Sequence, residues 1–546
     1  MSWRSRWRVP AGVCLLLAII HTWPLATAPG TLSRNDNADA QLNAWALAWI
    51  AHQLPHAPAH LFDGNIFYPE RHTLAFSEPL IVPALMGAPL RWAGGSPVLV
   101  LNLVMLLGFA LTAFAGYALV VEWTGDRAAG LLTGSMFAFN THTLTRLAHV
   151  QAQHAWGLPL ALLAADRLVT QARWRDAIWL AVWMTAMAYT SGYLVVFAAI
   201  MIAVVLLTRI TDWWPRARQV IAAFALAAVV AGVAVLPVYL PYRAVARDLH
   251  MLRPLALVKE FSATPMGYLA AAGRIHISTW SGPIFKDPVD SFFPGVIVIV
   301  LALLAVSWTL IRSGNARAMV SQRSRVVMLL AIAATGFVLS LGTRTPIYGW
   351  LYQVFPPMQG LRAAARFGNL FLLGMAALAG LGLAALRPRL STRWAPAVVV
   401  ALIVIANVES LRAPFVYRRF DGIPAIYSLL AREPGPVVLV EVPYYPAHAF
   451  FENASYMLNS TAHWRPLMNG YSGYVPDSYR ATASSFWYFP EDWAIQAMRR
   501  AGVTHVMIHP ERFGDTTDDM WRKVTASPYL ERIAATPSGL ALYKLK

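Results

Sequence analysis

Runs of apolar residues separated by short basic loops recur along the chain from Val9 to Leu411. A membrane-spanning helix needs about 20 such residues at 1.5 Å rise each. The segments 9–28, 97–121, 128–141, 153–169, 176–191, 193–209, 219–241, 292–312, 326–342, 367–386 and 395–411 meet that pattern. The reading is of about eleven spanning helices, with 128–141 and 176–191 the shortest.

Between them the polar positions sort by side. With the N-terminus inside, as Arg4, Arg6 and Arg8 direct, the loops holding Arg127, Arg173 and Arg175, Arg209–Arg218, Arg312–Arg325 and Arg387–Arg393 all fall inside. Each is basic, as cytoplasmic loops are. An odd count sends the C-terminus outside, so the outer face holds 29–96, 242–291, 343–366 and 412–546. The basic start, apolar run and Ala26-Thr27-Ala28 resemble a signal peptide. The run 9–28 is nevertheless long enough to span, and an uncleaved anchor is expected.

The outer segments carry structure of their own. Leu42, Trp45, Leu47, Ile50 and Leu54 fall mostly at helical spacing, which predicts a helix over 39–54 lying along the membrane interface. Residues 79–92 are apolar but short and broken by proline, as a second interfacial or re-entrant piece would be. After residue 411 the pattern changes. Val437–Val442 and Val503–Ile508 read as buried strands, Leu540–Leu545 as a terminal strand and Asp492–Arg500 as a helix. The fold class expected is therefore an α-helical polytopic membrane domain, 1–411, followed by a small outer α/β domain, 412–546.

Composition agrees. Of 546 residues, 57% are hydrophobic and 13% charged, against about 25% charged in soluble domains. The net charge of +17 is scattered through the inner loops rather than gathered in one patch, which argues against nucleic-acid binding. The single cysteine, Cys14, allows no intrachain disulfide.

Four groups of residues could carry chemistry. Asp36, Asp39, Asp63, Glu70 and Glu78 make the first outer loop acidic. Asp36 and Asp39 stand three apart at the predicted helix start, where a carboxylate could cap the helix, act as a general base, or both. Arg362 and Arg366 are four apart at the outer mouth of the tenth span. If helical, they share a face that could hold a lipid phosphate; snorkelling interfacial arginines are the alternative. Arg146, His149, Gln151 and His154 form a polar run in a short outer loop, with the two histidines too far out of phase for a good metal pair. His463, Trp464 and Arg465, then Asn469, Gly470, Tyr471, Ser472, Gly473 and Tyr474, put rings beside amides and hydroxyls, which suits a sugar or an ordinary turn. There is no Gly-rich phosphate loop after a strand, and ionisable residues are nearly absent from span centres, unlike in coupled transporters.

These stretches resemble the GT-C superfamily of membrane glycosyltransferases, and more closely a group of bacterial inner-membrane proteins with a soluble C-terminal domain. The matching residues are Asp39-x-x-x-Asn43-x-Trp45, Leu61-Phe62-Asp63 through Ile66-Phe67-Tyr68-Pro69, Thr73 to Glu78, His149-Val150-Gln151, Ser191-Gly192-Tyr193, Phe261-Ser262-Ala263, Phe293-Pro294-Gly295, the Arg362/Arg366 segment, and His463-Trp464-Arg465-Pro466 through Asn469-Gly470-Tyr471-Ser472-Gly473-Tyr474-x-Pro476. They run along most of the chain. One departure is Ala38, where the narrower group has glycine before the acid.

The resemblance implies transfer of a sugar from a polyprenyl-phosphate carrier to a lipid or polysaccharide acceptor at the periplasmic face. Asp39 is then the base, with Asp36 as runner-up. Arg362 and Arg366 would hold the donor phosphate, and Glu78, His149, Gln151, His463, Asn469 and Tyr471 would contact substrate. Inversion by single displacement is expected. The superfamily leaves room for a divalent cation, Mg²⁺ or Mn²⁺, but no ligand set in this sequence demands one. The rivals are a lipid-linked-sugar flippase, which requires a polar path through the span centres, and a non-catalytic envelope assembly protein, in which the acids and arginines do not converge.

Overall fold

The structure is a computed structural model, and it describes residues 3–34, 36–249, 253–311 and 317–546. Arg312, at the start of one expected inner loop, lies outside the described residues. Each segment read as a span is helical: Trp3–His21, Pro97–Thr124, Arg127–Ala138, Gly157–Gln171, Trp174–Ala188, Gly192–Thr208, Ala217–Asp248, Val296–Ile311, Arg317–Ser340, Gly368–Leu386 and Ala395–Ser410. Among the described residues, Pro97–Thr124, Ile210–Asp248, Ser321–Ser340 and Ala364–Arg389 are long and apolar enough to cross a membrane. Trp7–His21, Gly192–Thr208, Val296–Thr309 and Ala395–Ser410 are apolar but shorter. The chain is a mostly helical membrane protein. Arg127–Ala138, at 12 residues, falls well below the roughly 30 Å of a hydrocarbon core. It stops where the buried Asn140 leaves the helix to cap the next turn, accepting the Thr143 N–H at 2.9 Å.

The chain forms two compact units. The first holds Met1–Ala28, Leu103–Tyr239 and Leu252–Val416; the second holds Pro29–Asn102, Leu240–Met251 and Tyr417–Lys546.

In the first unit, Gly368–Leu386 is the central helix, buried nearly throughout and packed on Val296–Ile311, Arg317–Ser340 and Arg127–Ala138. Helices in an apolar solvent associate by close van der Waals contact, so small residues mark their crossings. Gly134 shows this: a Cβ there would stand 2.0 Å from the Ala113 carbonyl oxygen, so no other residue fits without moving a helix. Elsewhere in this unit, charge does the fastening. Asp166 and Arg209 are both buried and paired. Asp166 also accepts from Trp123 Nε1 at 3.0 Å and Arg325 Nη2 at 3.1 Å, while Arg209 makes a second pair with Asp212.

The second unit contains a two-stranded antiparallel ribbon, β1 (Leu32–Ser33) with β2 (Arg418–Arg419). It also contains a four-stranded sheet of β3 (Leu439–Val442), β4 (His505–Ile508), β5 (Leu530–Ala535) and β6 (Ala541–Leu545), in the order β3-β4-β6-β5. β3 and β4 run parallel and are wholly buried; β6 is antiparallel to both β4 and β5. The helix Asp492–Arg500 stands where the pattern placed it.

The helix predicted along the membrane interface is Ala38–His56. Every residue from Leu42 to Ala51 is buried, so its middle leaves no face for lipid. The alanines between its large apolar residues make the opposite side apolar too, and a helix apolar all round is enclosed by protein. Its neighbours in this unit are Ile81–Trp92 and Ala454–Ser460. The loop that follows is stitched to the C-terminal residues. Asn65 donates to Ser460 Oγ at 3.2 Å and to the Arg465 carbonyl at 3.1 Å, and backbone bonds join Phe67 to Asn469 and Tyr68 to Leu467.

One buried cluster in this unit makes stability depend on pH. Glu441 on β3 accepts from Tyr427 Oη at 2.5 Å and pairs with His509 Nε2 at 2.7 Å, and His509 Nδ1 reaches Glu511 at 3.2 Å. Burial opposes charge on the ring, but the hydrogen bonds to Glu441 and Glu511 outweigh it and raise His509 above the ordinary imidazole range. A raised folded value means the contribution is complete below the unfolded pKa of about 6.5 and is lost as pH climbs through the folded value. The denaturation midpoint of the purified protein should therefore fall as pH rises from 6 to 9. His509→Gln should flatten that slope, and an equal slope in the variant refutes the assignment.

Candidate functional site

The Ala38–His56 helix is capped by Asn37, whose extended backbone (φ −125°, ψ 125°) lets its side chain accept the Asp39 N–H at 2.9 Å. Neither aspartate is the cap. Asp36 lies one residue too early and turns to Arg34, with 3.1 Å between Nε and Oδ1 at an exposed position. Asp39 sits in the first turn, where the positive end of the helix dipole favours a carboxylate. It accepts a hydrogen bond from Tyr471 Oη at 2.8 Å. Asp36 is thus paired with a guanidinium, and Asp39 receives a hydrogen bond from a phenol.

Tyr471 reaches Asp39 because the preceding residue is glycine. A Cβ at Gly470 would lie 2.6 Å from the ring of Phe67, so only glycine lets the chain pass this close. Asn453 holds the turn by donating to the Gly470 carbonyl at 3.2 Å.

Beside this pair lies a narrow, shallow cleft. Asn43, Trp45 and Ser472 are on its buried floor, and Ser77 and Glu78 are half-buried at its edge. Leu42, Thr73, Leu74 and Leu80 complete the walls with Ala46; among the described residues no Lys, Arg or His lines it. Of the other acids in the loop, Asp63 is flanked by His60 and His72, and Glu70 accepts from Ser478.

Two residues of the Tyr471 motif lie deeper. Asn469 is fully buried, with its amide spent on the Glu441 backbone (2.8 and 2.9 Å) and on Asn453 (3.1 Å). His463 is buried against Tyr427 and accepts the Arg465 N–H at 3.0 Å. Burial first, and then Arg465, push its pKa down to about 3, so it stays neutral.

The first unit gathers cations. The segment from Leu361 to Phe367 is not an α-turn: Leu361 is extended, Ala363 has ψ 79°, and a short 3₁₀ turn begins only at Ala364. The shared helix face expected for Arg362 and Arg366 is therefore absent. A tyrosine organises them instead. Tyr193 Oη accepts the backbone N–H groups of Arg362 (3.1 Å) and Ala363 (2.9 Å), and the Arg366 guanidinium lies 4.4 Å over the Tyr193 ring. Arg362 stacks 5.2 Å from the ring of Phe261.

Arg366 and His149 come together around His142, a residue that sequence reasoning missed. Its ring is buried and stacked on Phe292 at 4.5 Å, and its Nδ1 has no hydrogen-bond partner among the described residues. Burial above all, then the charges of Arg146, Arg366 and His149, hold it well below the usual imidazole range. The available signal was the concentration of basic groups in a loop that the pattern assigns to the outside, against the inside preference of positive charge. Gln151 is buried nearby in sequence, with Oε1 lacking a partner among the described residues. His154 has both ring nitrogens engaged, by the Val104 carbonyl and Trp156 Nε1, and so is structural. Among the described residues, no three His, Cys, Asp or Glu side chains are grouped to hold a metal ion.

No protein-family model matches the chain, and no curated protein matches it by sequence. Solved structures do. Arabinofuranosyltransferase AftD from Mycobacteria aligns with a TM-score of 0.62 at 16% identity, covering 100% of this chain and 40% of that one. Archaeal oligosaccharyltransferase AglB from Archaeoglobus fulgidus, solved in complex with an inhibitory peptide and a dolichol-phosphate, aligns at 0.51 and 12% identity, covering 100% of this chain and 75% of that one. This chain thus spans two fifths of AftD. Both of these structural neighbours are GT-C glycosyltransferases, and the chain has a GT-C-like fold.

Proposed function

We propose that this protein is a membrane glycosyltransferase that moves a sugar from a polyprenyl-phosphate carrier to a glycan or lipid acceptor. The setting is the periplasmic face of a bacterial inner membrane, with the N-terminus cytoplasmic, about eleven spans and a C-terminal periplasmic α/β region. The observation that carries the reading is the Asp39 carboxylate, oriented by Tyr471 at a helix start beside a cleft lined by hydroxyl, amide and carboxylate groups. The GT-C-like fold supports it.

The chemistry is a single displacement. Asp39 takes the acceptor hydroxyl proton as that oxygen attacks the anomeric carbon. The bond from that carbon to the phosphate oxygen breaks, and the configuration inverts. Arg362, Arg366 and the basic groups around His142, with His149 and Gln151, bind the donor phosphate and stabilise charge growing on it. His463 and Asn469 support the cleft from behind. A divalent cation, Mg²⁺ or Mn²⁺, would aid the same charge but has no assigned ligands.

The test is direct. Purified protein in liposomes, given a panel of polyprenyl-phosphate hexoses and pentoses, should release free polyprenyl phosphate and form a product of inverted anomeric configuration. Movement of the intact lipid-linked sugar between leaflets with no transfer would establish the flippase alternative instead. In the same assay Arg366→Ala should raise KM for the donor by about tenfold or more, the worth of one charge-assisted contact. Arg366→Lys should recover little of it, since an ammonium neither forks nor stacks as a guanidinium does. A fall in kcat with unchanged KM would remove Arg366 from donor binding.

A further inference from the structure

We propose that Tyr193 and Phe261 are positioning residues that clamp Arg362 and Arg366 into one unit for the donor phosphate. Each ring holds the guanidinium of one arginine, while its own residue bonds the backbone beside the other. The inference rests on the donor-binding role proposed for the two arginines.

The crossed pattern rests on two sets of contacts. Tyr193 Oη accepts the backbone N–H groups of Arg362 and Ala363 at 3.1 and 2.9 Å, and its ring lies 4.4 Å from the Arg366 guanidinium. Phe261 mirrors it. Its carbonyl accepts the N–H of Ala365, the neighbour of Arg366, at 3.0 Å, and its ring lies 5.2 Å from the Arg362 guanidinium. Both platforms are themselves fixed. Ser191 caps the helix Gly192–Thr208 and accepts the Tyr193 N–H at 3.2 Å. Behind Phe261, Ser262 Oγ donates to the Val258 carbonyl at 2.7 Å, and Arg344 Nη1 donates to the Ala263 carbonyl at 3.1 Å.

The segment needs this support because, between Leu361 and Phe367, only Ala364–Phe367 forms a regular turn. An arginine on a loose loop surrenders rotamer freedom when it meets a phosphate, and prior ordering removes that cost. Two like charges on one short segment also repel. A ring face offsets the repulsion, since its negative quadrupole attracts a cation within about 6 Å of the centroid. Both guanidiniums lie inside that distance. Stacking uses the flat face of a guanidinium, not the in-plane N–H edge that forks onto phosphate oxygens. Among the described residues no Asp or Glu pairs with the Arg362 guanidinium, and an anion completes it.

The clamp gives a task to Ser191-Gly192-Tyr193 and Phe261-Ser262-Ala263, two of the stretches singled out by sequence. It also couples positions that do not touch through their side chains. Tyr193 Oη sets the backbone that presents Arg362, so losing the hydroxyl acts through Arg362 even though the ring beside Arg366 is kept. A residue that merely stacked on Arg366 would show no such link.

The experiment uses full-length protein in nanodiscs and farnesyl phosphate as the probe, with farnesol and inorganic phosphate as comparisons. Tyr193→Phe keeps the ring and removes the acceptor; Phe261→Leu keeps the carbonyl and removes the ring. Each should weaken farnesyl phosphate binding by about three- to tenfold, the worth of one such contact, and leave farnesol unchanged. Adding Tyr193→Phe to Arg362→Ala should cost less than about twofold more. In the transfer assay both ring variants should raise KM for the donor severalfold with kcat little changed. Wild-type affinity in either ring variant, losses that multiply with Arg362→Ala, an equal loss for farnesol, or a lowered kcat at constant KM overturns the clamp. So does inorganic phosphate that binds as tightly as farnesyl phosphate, since the unit then serves a free anion. If the wild type does not bind farnesyl phosphate, or Arg362→Ala and Arg366→Ala bind it equally well, the donor role of the arginines falls and the clamp with it. If those two variants lose binding while the ring variants keep it, only the clamp falls.

Discussion

Asp39→Asn should lower sugar transfer by about 10²–10⁴-fold, the usual worth of a general base, while the protein remains folded in the membrane. The amide has the shape of the carboxylate, and its oxygen can still accept from Tyr471 Oη, so the first turn keeps its geometry. What it loses is the capacity to take a proton. Tyr471→Phe should give a smaller loss, about tenfold, because the base remains but loses one orienting hydrogen bond. Asp36→Asn should leave turnover near wild type, since that carboxylate is exposed and paired with Arg34. Single-turnover release of polyprenyl phosphate measures all three. Unchanged turnover in Asp39→Asn removes Asp39 from the mechanism, and a collapse in Asp36→Asn instead transfers the role.

The second large effect is on stability. Asp166→Ala leaves Arg209, 1% exposed, with one of its two carboxylate partners gone. It also strips Trp123 and Arg325 of theirs. Breaking a buried pair from one side costs about 3–5 kcal/mol, because the remaining charge stays desolvated. The thermal midpoint in detergent should drop sharply and the yield with it. Arg387→Ala is the control. Arg387 is half open to solvent in its pair with Asp126, which keeps its helix cap in this variant, and such pairs contribute about 1 kcal/mol or less. Similar losses in the two variants would show that burial does not govern these ion pairs.

Much of the fold was legible because its determinants are local. Asp492–Arg500, β3, β4 and β6 appear in the sequence as periodic or continuous apolar runs bounded by turns. β5 was not, because Glu531, Arg532 and Ile533 are exposed on an edge strand that has no buried face to pattern. The Ala38–His56 helix was visible, but its enclosure was not: periodicity reports which positions are apolar, not how many sides are covered. The site was legible in part. Asp39 and Tyr471 were both named, yet the bond between them depends on a tertiary path that spacing cannot show. The Arg362/Arg366 pair was found for a helical reason that the backbone does not satisfy, and the tyrosine that organises it entered only as part of a motif. His142 was missed because a lone buried histidine looks like core until its charged neighbours are known.

Asp39 and its phenolic partner are 432 residues apart. A ribosome therefore completes the loop between the first two apolar helices long before it makes the residue whose hydroxyl donates to the carboxylate. A fragment ending before Tyr471 lacks the hydroxyl that donates to this acid, however well its helices form. Cutting the chain after the last predicted span would remove that donor. Supplying residues 417–546 as a separate polypeptide is the way to ask whether the two pieces can find each other again.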